Sequence, residues 1–227
     1  MKSNLVDFLH SVPILSGLDE GVLDILANVC HLKRVPKGQY LFFQGDQGNA
    51  AYLVHEGIIA IQFSTPDGRE LVINEMHPGE CFGELALLLE EPRSAGALAR
   101  EDSQVVWIPR DEFLAQVDAE PKLMRTLLQT IAGRLVNSGE RESALAFLHA
   151  PARIAQFMIQ RAAEEGDQED LVTLSQEEVA QHIGVTRQTV AKCLGDWRRN
   201  GWIITGRGKI MLVDMDAIQR LAEESTL

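Results

Sequence analysis

The residues with most chemistry to offer lie in the run Gly83-Glu84-Leu85-Ala86-Leu87-Leu88-Leu89-Glu90-Glu91-Pro92-Arg93-Ser94-Ala95. Apolar residues at 85–89 followed by a proline predict a single helical turn between two strands. A helix that short leaves most of its N–H groups without an intrahelical partner, open to an anion. Arg93 adds a planar guanidinium fork suited to a phosphate, and Ser94 adds a hydroxyl and a further N–H. Glu84 cannot serve a phosphate, but its carboxylate accepts hydrogen bonds from a sugar hydroxyl. A sugar acceptor beside phosphate donors points to one ligand carrying both groups, a nucleotide.

Such a turn has to be framed by strands, and the chain around it supplies them. From His31 to Pro109, short runs rich in Val, Ile, Phe and Tyr alternate with Lys37-Gly38, Gln44-Gly45-Asp46, Glu56-Gly57, Pro66-Asp67-Gly68 and Pro78-Gly79. That rhythm predicts a β-sandwich or barrel, here a small jelly-roll-like β-roll. Asp67-Gly68 is the best hairpin turn, joining Ile58–Ser64 to Glu70–Met76. Helices are expected at 3–9 and 18–30, and again from Asp111. Pro121 sits where a longer helix would have its first turn, and Pro151 is read as its end, with Ala152–Ala163 the next helix. Met124, Leu128, Ile131, Leu135, Ser138, Glu142 and Leu145 fall on one heptad stripe, apolar at both ends and polar in the middle. We read it as a parallel dimer seam interrupted near the ligand.

Composition narrows the classes. Hydrophobic residues make up 45% and charged residues 24%, ordinary for a globular chain. Asp7 interrupts the N-terminal run before a signal-peptide core could form, and fully apolar runs no longer than Leu85–Leu89 are too short for a bilayer. A cytoplasmic protein is expected. Cys30, Cys81 and Cys193 are far apart with no Cys-x-x-Cys pair, so free buried thiols are expected and no metal site. No Ser/His/Asp or Cys/His spacing suggests catalysis, so an enzyme is not expected. The net charge of −12 hides an asymmetry. Residues 186–209 hold Arg187, Lys192, Arg198, Arg199, Arg207 and Lys209 against Asp196 alone, whereas 164–178 hold seven acids and no base. A basic patch on an acidic protein suits docking on DNA by one face. The acidic run 164–170 is read as a solvated loop.

The basic patch has an architecture. Gln176–His182 predicts a short helix with Val179 and Ala180 inward, and Ile183-Gly184-Val185 a turn whose glycine takes a positive φ. Thr186 is a plausible N-cap for a second helix carrying Val190, Cys193, Leu194 and Trp197 inward. Outward stand Arg187, Gln188, Thr189 and Lys192. Trp202-Ile203-Ile204 and Ile210-Met211-Leu212-Val213 then flank Gly206-Arg207-Gly208-Lys209, a hairpin with a basic tip. This is a winged helix-turn-helix.

Together these features resemble the CRP/FNR family of bacterial regulators, over nearly the whole chain. The run from Gly83 to Ala95 is similar to the phosphate cassette of cyclic-nucleotide-binding domains, and the segment Thr186–Lys192 to the family's DNA-reading helix. The resemblance implies an α+β chain in three parts: a cyclic-nucleotide-binding β-roll over 1–118, a dimerisation helix and hinge over 119–150, and a winged helix-turn-helix over 151–227. It implies a homodimeric regulator switched by a cyclic nucleotide effector, cAMP first, with no other cofactor. Gly83, Glu84, Leu85, Arg93, Ser94 and Ser138 would contact the nucleotide. Ser175, Gln176, Thr186, Arg187, Gln188, Thr189, Lys192, Arg199 and Lys209 would contact a two-fold symmetric DNA operator. RNA polymerase is a further implied partner.

Departures from the family pattern matter as much. Gln188 and Lys192 replace a glutamate and an arginine at base-reading positions of cAMP-responsive members, while Arg187 matches the arginine that reads guanine. Ser138 falls where a threonine contacts adenine, and Gly139 where a serine reaches the base from the partner subunit. His149 occupies a position where relatives often carry an aspartate capping the next helix, so that cap is lost or replaced. Alternatives keep the fold and change the ligand: cGMP, cyclic di-GMP, no effector, or haem held by His77 and Cys81.

Overall fold

The computed structural model describes residues 2–65, 70–165 and 170–223. The chain forms two compact units, residues 1–135 and 136–227. In the first, helices α1 (Lys2–Ser11) and α2 (Glu20–Val29) flank a 3-10 turn at Pro13–Leu15. Strands β1 (His31–Val35), β2 (Tyr40–Phe42), β3 (Ala50–Glu56), β4 (Ile59–Ser64), β5 (Glu70–Met76) and β6 (Cys81–Phe82) follow. One helical turn, α3 (Leu85–Leu88), then leads to β7 (Gly96–Ala99), β8 (Ser103–Pro109) and α4 (Arg110–Ala119). The expected hairpin forms, with Ser64 opposite Glu70, although its Asp67-Gly68 tip lies outside the described residues.

The strands make two four-stranded antiparallel sheets, ordered β1-β8-β3-β6 and β2-β7-β4-β5. The first sheet is covered on both faces, which explains why β3 reads as a continuous apolar run, Ala50-Ala51-Tyr52-Leu53-Val54, instead of alternating. Ala50, Tyr52 and Val54 point into the roll with Phe82, Ile59 and Val105. Ala51, Leu53, Val106 and Ile108 point the other way, against Leu9, Leu23, Leu26 and Phe113 of the helices. Burying each Val, Leu, Ile or Phe side chain among these contributes about 1.5–3 kcal/mol.

Helix α5 runs from Pro121 to Phe147 with proline in its first turn, as expected. Leu123 and Leu127 are buried in the helix-covered core and Ile131 packs on it. Of the heptad stripe, Ile131 is thus half-buried against its own domain. Met124, Leu128, Leu135 and Leu145 are exposed.

The second unit contains α6 (Ala150–Glu165), β9 (Leu171–Val172), α7 (Gln176–Ile183), α8 (Arg187–Arg199), β10 (Ile203–Gly206), β11 (Lys209–Leu212) and α9 (Met215–Ala222). Pro151 does not end the long helix. It lies in the first turn of α6, where a missing N–H is harmless. Ile154, Met158, Val179, Val190, Leu194, Trp197 and Ile218 form the core of this unit. Residues 166–169 of the acidic run lie outside the described residues. Among the described residues, no helix is long and apolar enough to cross a membrane.

Candidate nucleotide site and nucleic-acid interface

Strand β6 delivers the cassette. Gly83 has φ 76°, and a Cβ there would lie 2.8 Å from Arg93 Nη1, so both conformation and space require glycine. Glu84 follows at the start of α3 and is 1% exposed. Its Oε1 accepts from Arg134 Nη1 at 2.7 Å, and Arg134 Nη2 donates to the Cys81 carbonyl at 2.5 Å. The second oxygen, Oε2, is buried with no hydrogen-bond partner among the described residues. Burial pushes the Glu84 carboxyl above its ordinary range, with Arg134 and then Arg93 pulling it partly back.

Arg93 is 3% exposed. Its Nη1 donates to the Gly83 carbonyl at 2.5 Å and its Nη2 to the Ala50 carbonyl at 2.7 Å. The guanidinium stands 4.2 Å from the Phe42 ring centre and 5.5 Å from that of Tyr52. Only Nε lacks a partner among the described residues. The backbone of Arg93 is fixed too, its N–H bonding Asp46 and its carbonyl accepting from Gly45, both at 2.8 Å. Burial pulls the guanidinium pKa down, while Tyr52 and Glu84 favour the charged form. Ser94 and Leu85 are exposed. A cavity of about 550 Å³ opens beside Arg93, walled by Trp107, Tyr52, Phe42, Leu41, His31 and Lys33. Glu84 and Ser94 do not line it.

The geometry thus brings Gly83, Glu84 and Arg93 together and adds Arg134, which the sequence reading missed. A signal was present: Leu123, Leu127 and Ile131 mark a packed helix face, and Arg134 continues it at helical spacing. A cation extending an apolar face needs an acid opposite. Ser138 and Gly139 are exposed on α5 in the second unit. A Cβ at Gly139 would meet nothing within 4 Å. Of the haem pair, Cys81 is buried in the helix-covered core and His77 is exposed. Among the described residues, no group of three His, Cys, Asp or Glu could hold a metal ion.

In the second unit α7 begins in a capping box. Ser175 Oγ accepts from the Glu178 N–H at 3.2 Å, and Glu178 Oε2 accepts from the Ser175 N–H at 2.8 Å. The helix ends at Gly184, with φ 71° and its N–H bonded to the Ala180 carbonyl. Thr186 caps α8 by accepting from the Thr189 N–H at 3.2 Å. Val190, Cys193, Leu194 and Trp197 are buried. Arg187, Gln188 and Lys192 are exposed on the first turns of α8. Thr189 is half-buried, its hydroxyl 3.0 Å from that of Thr186. Ser175 and Gln176 are half-buried at the start of α7. Arg199 is exposed and paired with Asp196. The wing is the β10–β11 hairpin, with Gly206 opposite Lys209 around an exposed Arg207-Gly208 turn.

Comparison with known proteins agrees with both halves. Residues 32–120 match the cyclic nucleotide-binding domain family, and residues 152–221 the Crp-like helix-turn-helix domain. The chain is 30% identical to a CRP-like cAMP-activated global transcriptional regulator of Mycobacterium tuberculosis, over 95% of this chain and 99% of the relative. It is 29% identical to the cyclic AMP receptor protein of Thermus thermophilus, over 92% and 96%. A CRP/FNR-family regulator of Thermus thermophilus superposes with a TM-score of 0.73 at 26% identity, covering 86% of this chain and all of that one (100%). The c-di-GMP responsive global regulator CLP of Xanthomonas campestris shares the fold, with a TM-score of 0.78 at 22% identity over 86% and 99%. On this fold, these caps and these relatives, the chain belongs to the CRP/FNR family of DNA-binding transcription regulators.

Proposed function

We propose that this regulator is a homodimer whose affinity for DNA is set by a cyclic nucleotide, cAMP, seated at Gly83, Glu84, Leu85, Arg93 and Ser94. The observation that carries the reading is the Glu84 carboxylate, buried with one oxygen paired to Arg134 and the other without a partner. An acceptor left unsatisfied in a dry site is expensive unless a ligand supplies the donor, and a ribose hydroxyl is such a donor. Arg93 then meets the phosphate by exchanging one of its carbonyl bonds for a charge-assisted one. Ser138 supplies the contact to the base, and with Gly139 beside it discrimination between cAMP and cGMP is modest. The exposed Leu128, Leu135 and Leu145 of α5 form the seam with a second copy. DNA is read by Arg187, Gln188, Thr189 and Lys192, with Ser175, Gln176, Thr186, Arg199 and Lys209 on the backbone, and RNA polymerase is the downstream partner.

Calorimetry of the purified protein with cAMP, cGMP and cyclic di-GMP tests this directly. Binding of cAMP that is lost in Glu84→Gln supports the assignment; cAMP binding that survives unchanged removes it. Cyclic di-GMP is the second reading, favoured by the fold shared with a regulator that responds to it.

A further inference from the structure

Helix α6 starts at Ala150, so the N–H of Ala152 in its first turn has no intrahelical acceptor. His149 takes it. The ring Nδ1 accepts from the Ala152 N–H at 3.1 Å, and the His149 carbonyl accepts from the Arg153 N–H at 3.1 Å. His149 is therefore the N-cap of α6, using a ring nitrogen where Ser175 and Thr186 use hydroxyls for α7 and α8. The two kinds of cap differ in one respect. A hydroxyl oxygen accepts at any pH, whereas an imidazole nitrogen accepts only while it carries no proton. Imidazole is the side chain that changes charge between about pH 5 and 8. Protonation removes the acceptor and sets a positive charge at a helix N-terminus, where the macrodipole opposes it.

What α6 carries makes this cap consequential. Ile154, Ala155 and Met158 are fully buried in the core shared with Val179, Val190 and Leu194 of the helix-turn-helix. One turn from the cap, Arg153 Nη1 donates to the carbonyl of Ile183 at 3.2 Å. Ile183 is the last residue of α7, directly before the left-handed Gly184 that turns the chain towards α8. The first turn of α6 thus fixes the corner of the DNA-reading pair.

We propose that His149 is a positioning residue that makes the seating of the helix-turn-helix depend on pH. Neutral His149, with its hydrogen on Nε2, caps α6 and keeps Arg153 on Ile183. Protonated His149 releases the first turn and loosens that contact. The charged and titratable groups on the elements packed against α6 are Glu177, Glu178 and His182 of α7, Asp216 and Arg220 of α9 with Glu223 just after it, and Cys193, Asp196 and the basic set of α8, with Arg153, Arg161 and Glu164 on α6 itself. His182 is another imidazole in this unit, so the test keeps it constant.

The experiment uses the full chain as wild type, His149→Asp and His149→Ala. Hydrogen-exchange protection of the Ala152 amide is measured by NMR at pH 8.0 and 5.5. Affinity is measured at both values for a duplex selected by the wild type from a random pool. Between the two values, wild-type protection should fall about fivefold, the worth of an ordinary N-cap. Aspartate stays ionised across this range, so His149→Asp should keep both protection and DNA affinity, and His149→Ala should lack the protection at either pH. An aspartate variant that loses protection as the wild type does would place the titration elsewhere, on His182 for one, and overturn the proposal. So would an alanine variant protected at pH 8.0, or a wild type that loses the cap with no change in DNA affinity.

Discussion

Arg134 on the long helix donates to the Glu84 carboxylate at 2.7 Å across 50 positions of sequence. The pair has opposite faces: Glu84 is buried, and the side chain of Arg134 is 26% exposed. Arg134→Met therefore leaves a buried carboxylate with its nearest offset gone, a loss of about 3 kcal/mol at neutral pH. The pH dependence has a definite sign. Burial raises the folded carboxyl above its unfolded value near about 4.3, so the folded form binds its proton more tightly and stability falls as pH rises through that window. Removing Arg134 raises the folded value further. The deficit of Arg134→Met should be small near pH 4.5 and full by pH 7.5 in urea denaturation. A deficit of equal size at both would show that lost packing, not charge, is responsible.

Arg93 leads to a second prediction, in which the structure changes the outcome. Read as a phosphate ligand facing an empty pocket, it would be dispensable for folding. It is instead 3% exposed and bonded to the carbonyls of Gly83 and Ala50. Arg93→Ala strands both acceptors and empties the space against Phe42, destabilising by about 2–3 kcal/mol. On the proposed function it also weakens nucleotide binding on the order of a hundredfold. Arg93→Lys keeps the charge but not the fork, and should recover more stability than affinity. Thermal melts without ligand and calorimetry with cAMP separate the two effects. A melting temperature unchanged in Arg93→Ala would sink the structural half.

Those two arginines mark what the sequence could and could not disclose. The one-turn helix after Glu84, the Pro121 start, the Thr186 cap and the Gly184 turn were all legible, because each depends on neighbours three or four positions away. The Arg134–Glu84 pair and the Ala50 carbonyl under Arg93 were not, since strand order brings them together from 50 and 43 positions apart. Thr189 was read as outward because its spacing is right. Its hydroxyl also lies 3.0 Å from that of Thr186, a local partner that periodicity does not disclose. Pro151 was ambiguous for a related reason: proline terminates one helix and starts another with equal comfort.

The three thiols give a third prediction. Burial pushes Cys30 up to about 12 and raises Cys81 and Cys193 as well, with Glu112, Glu84 and Asp196 respectively adding to it. A higher pKa means less thiolate, and only thiolate reacts. At pH 8 the native protein should give almost no fast reaction with a colorimetric disulfide reagent, and all three thiols should react once it is unfolded in guanidinium. One fast thiol in the native state would contradict the buried placement, with Cys193, 8% exposed, the first to suspect.

The last prediction separates reading from gripping on DNA. Arg187 and Lys209 are both exposed cations, but one opens α8 and the other begins the second strand of the wing. Arg187 follows the Thr186 cap, so its Cα is fixed by the Thr186–Thr189 bond, and a guanidinium on a fixed base can meet guanine O6 and N7 bidentately. Lys209 sits at the mouth of a two-residue turn and carries a point charge with no planar fork, suited to a phosphate. Arg187→Ala should therefore weaken the selected duplex by about 1–3 kcal/mol and relax preference at one base pair per half-site. Lys209→Ala should weaken all duplexes alike and reduce the salt slope by about one. Gln188, with an amide that both donates and accepts, should favour adenine at its position. Replacing it with glutamate should move that preference towards cytosine, whose amino group only donates in the major groove. Selection from random duplexes with each variant, read at two salt concentrations, checks all three. If Lys209→Ala shifted the selected sequence while Arg187→Ala left it alone, the wing rather than α8 would be the reading element.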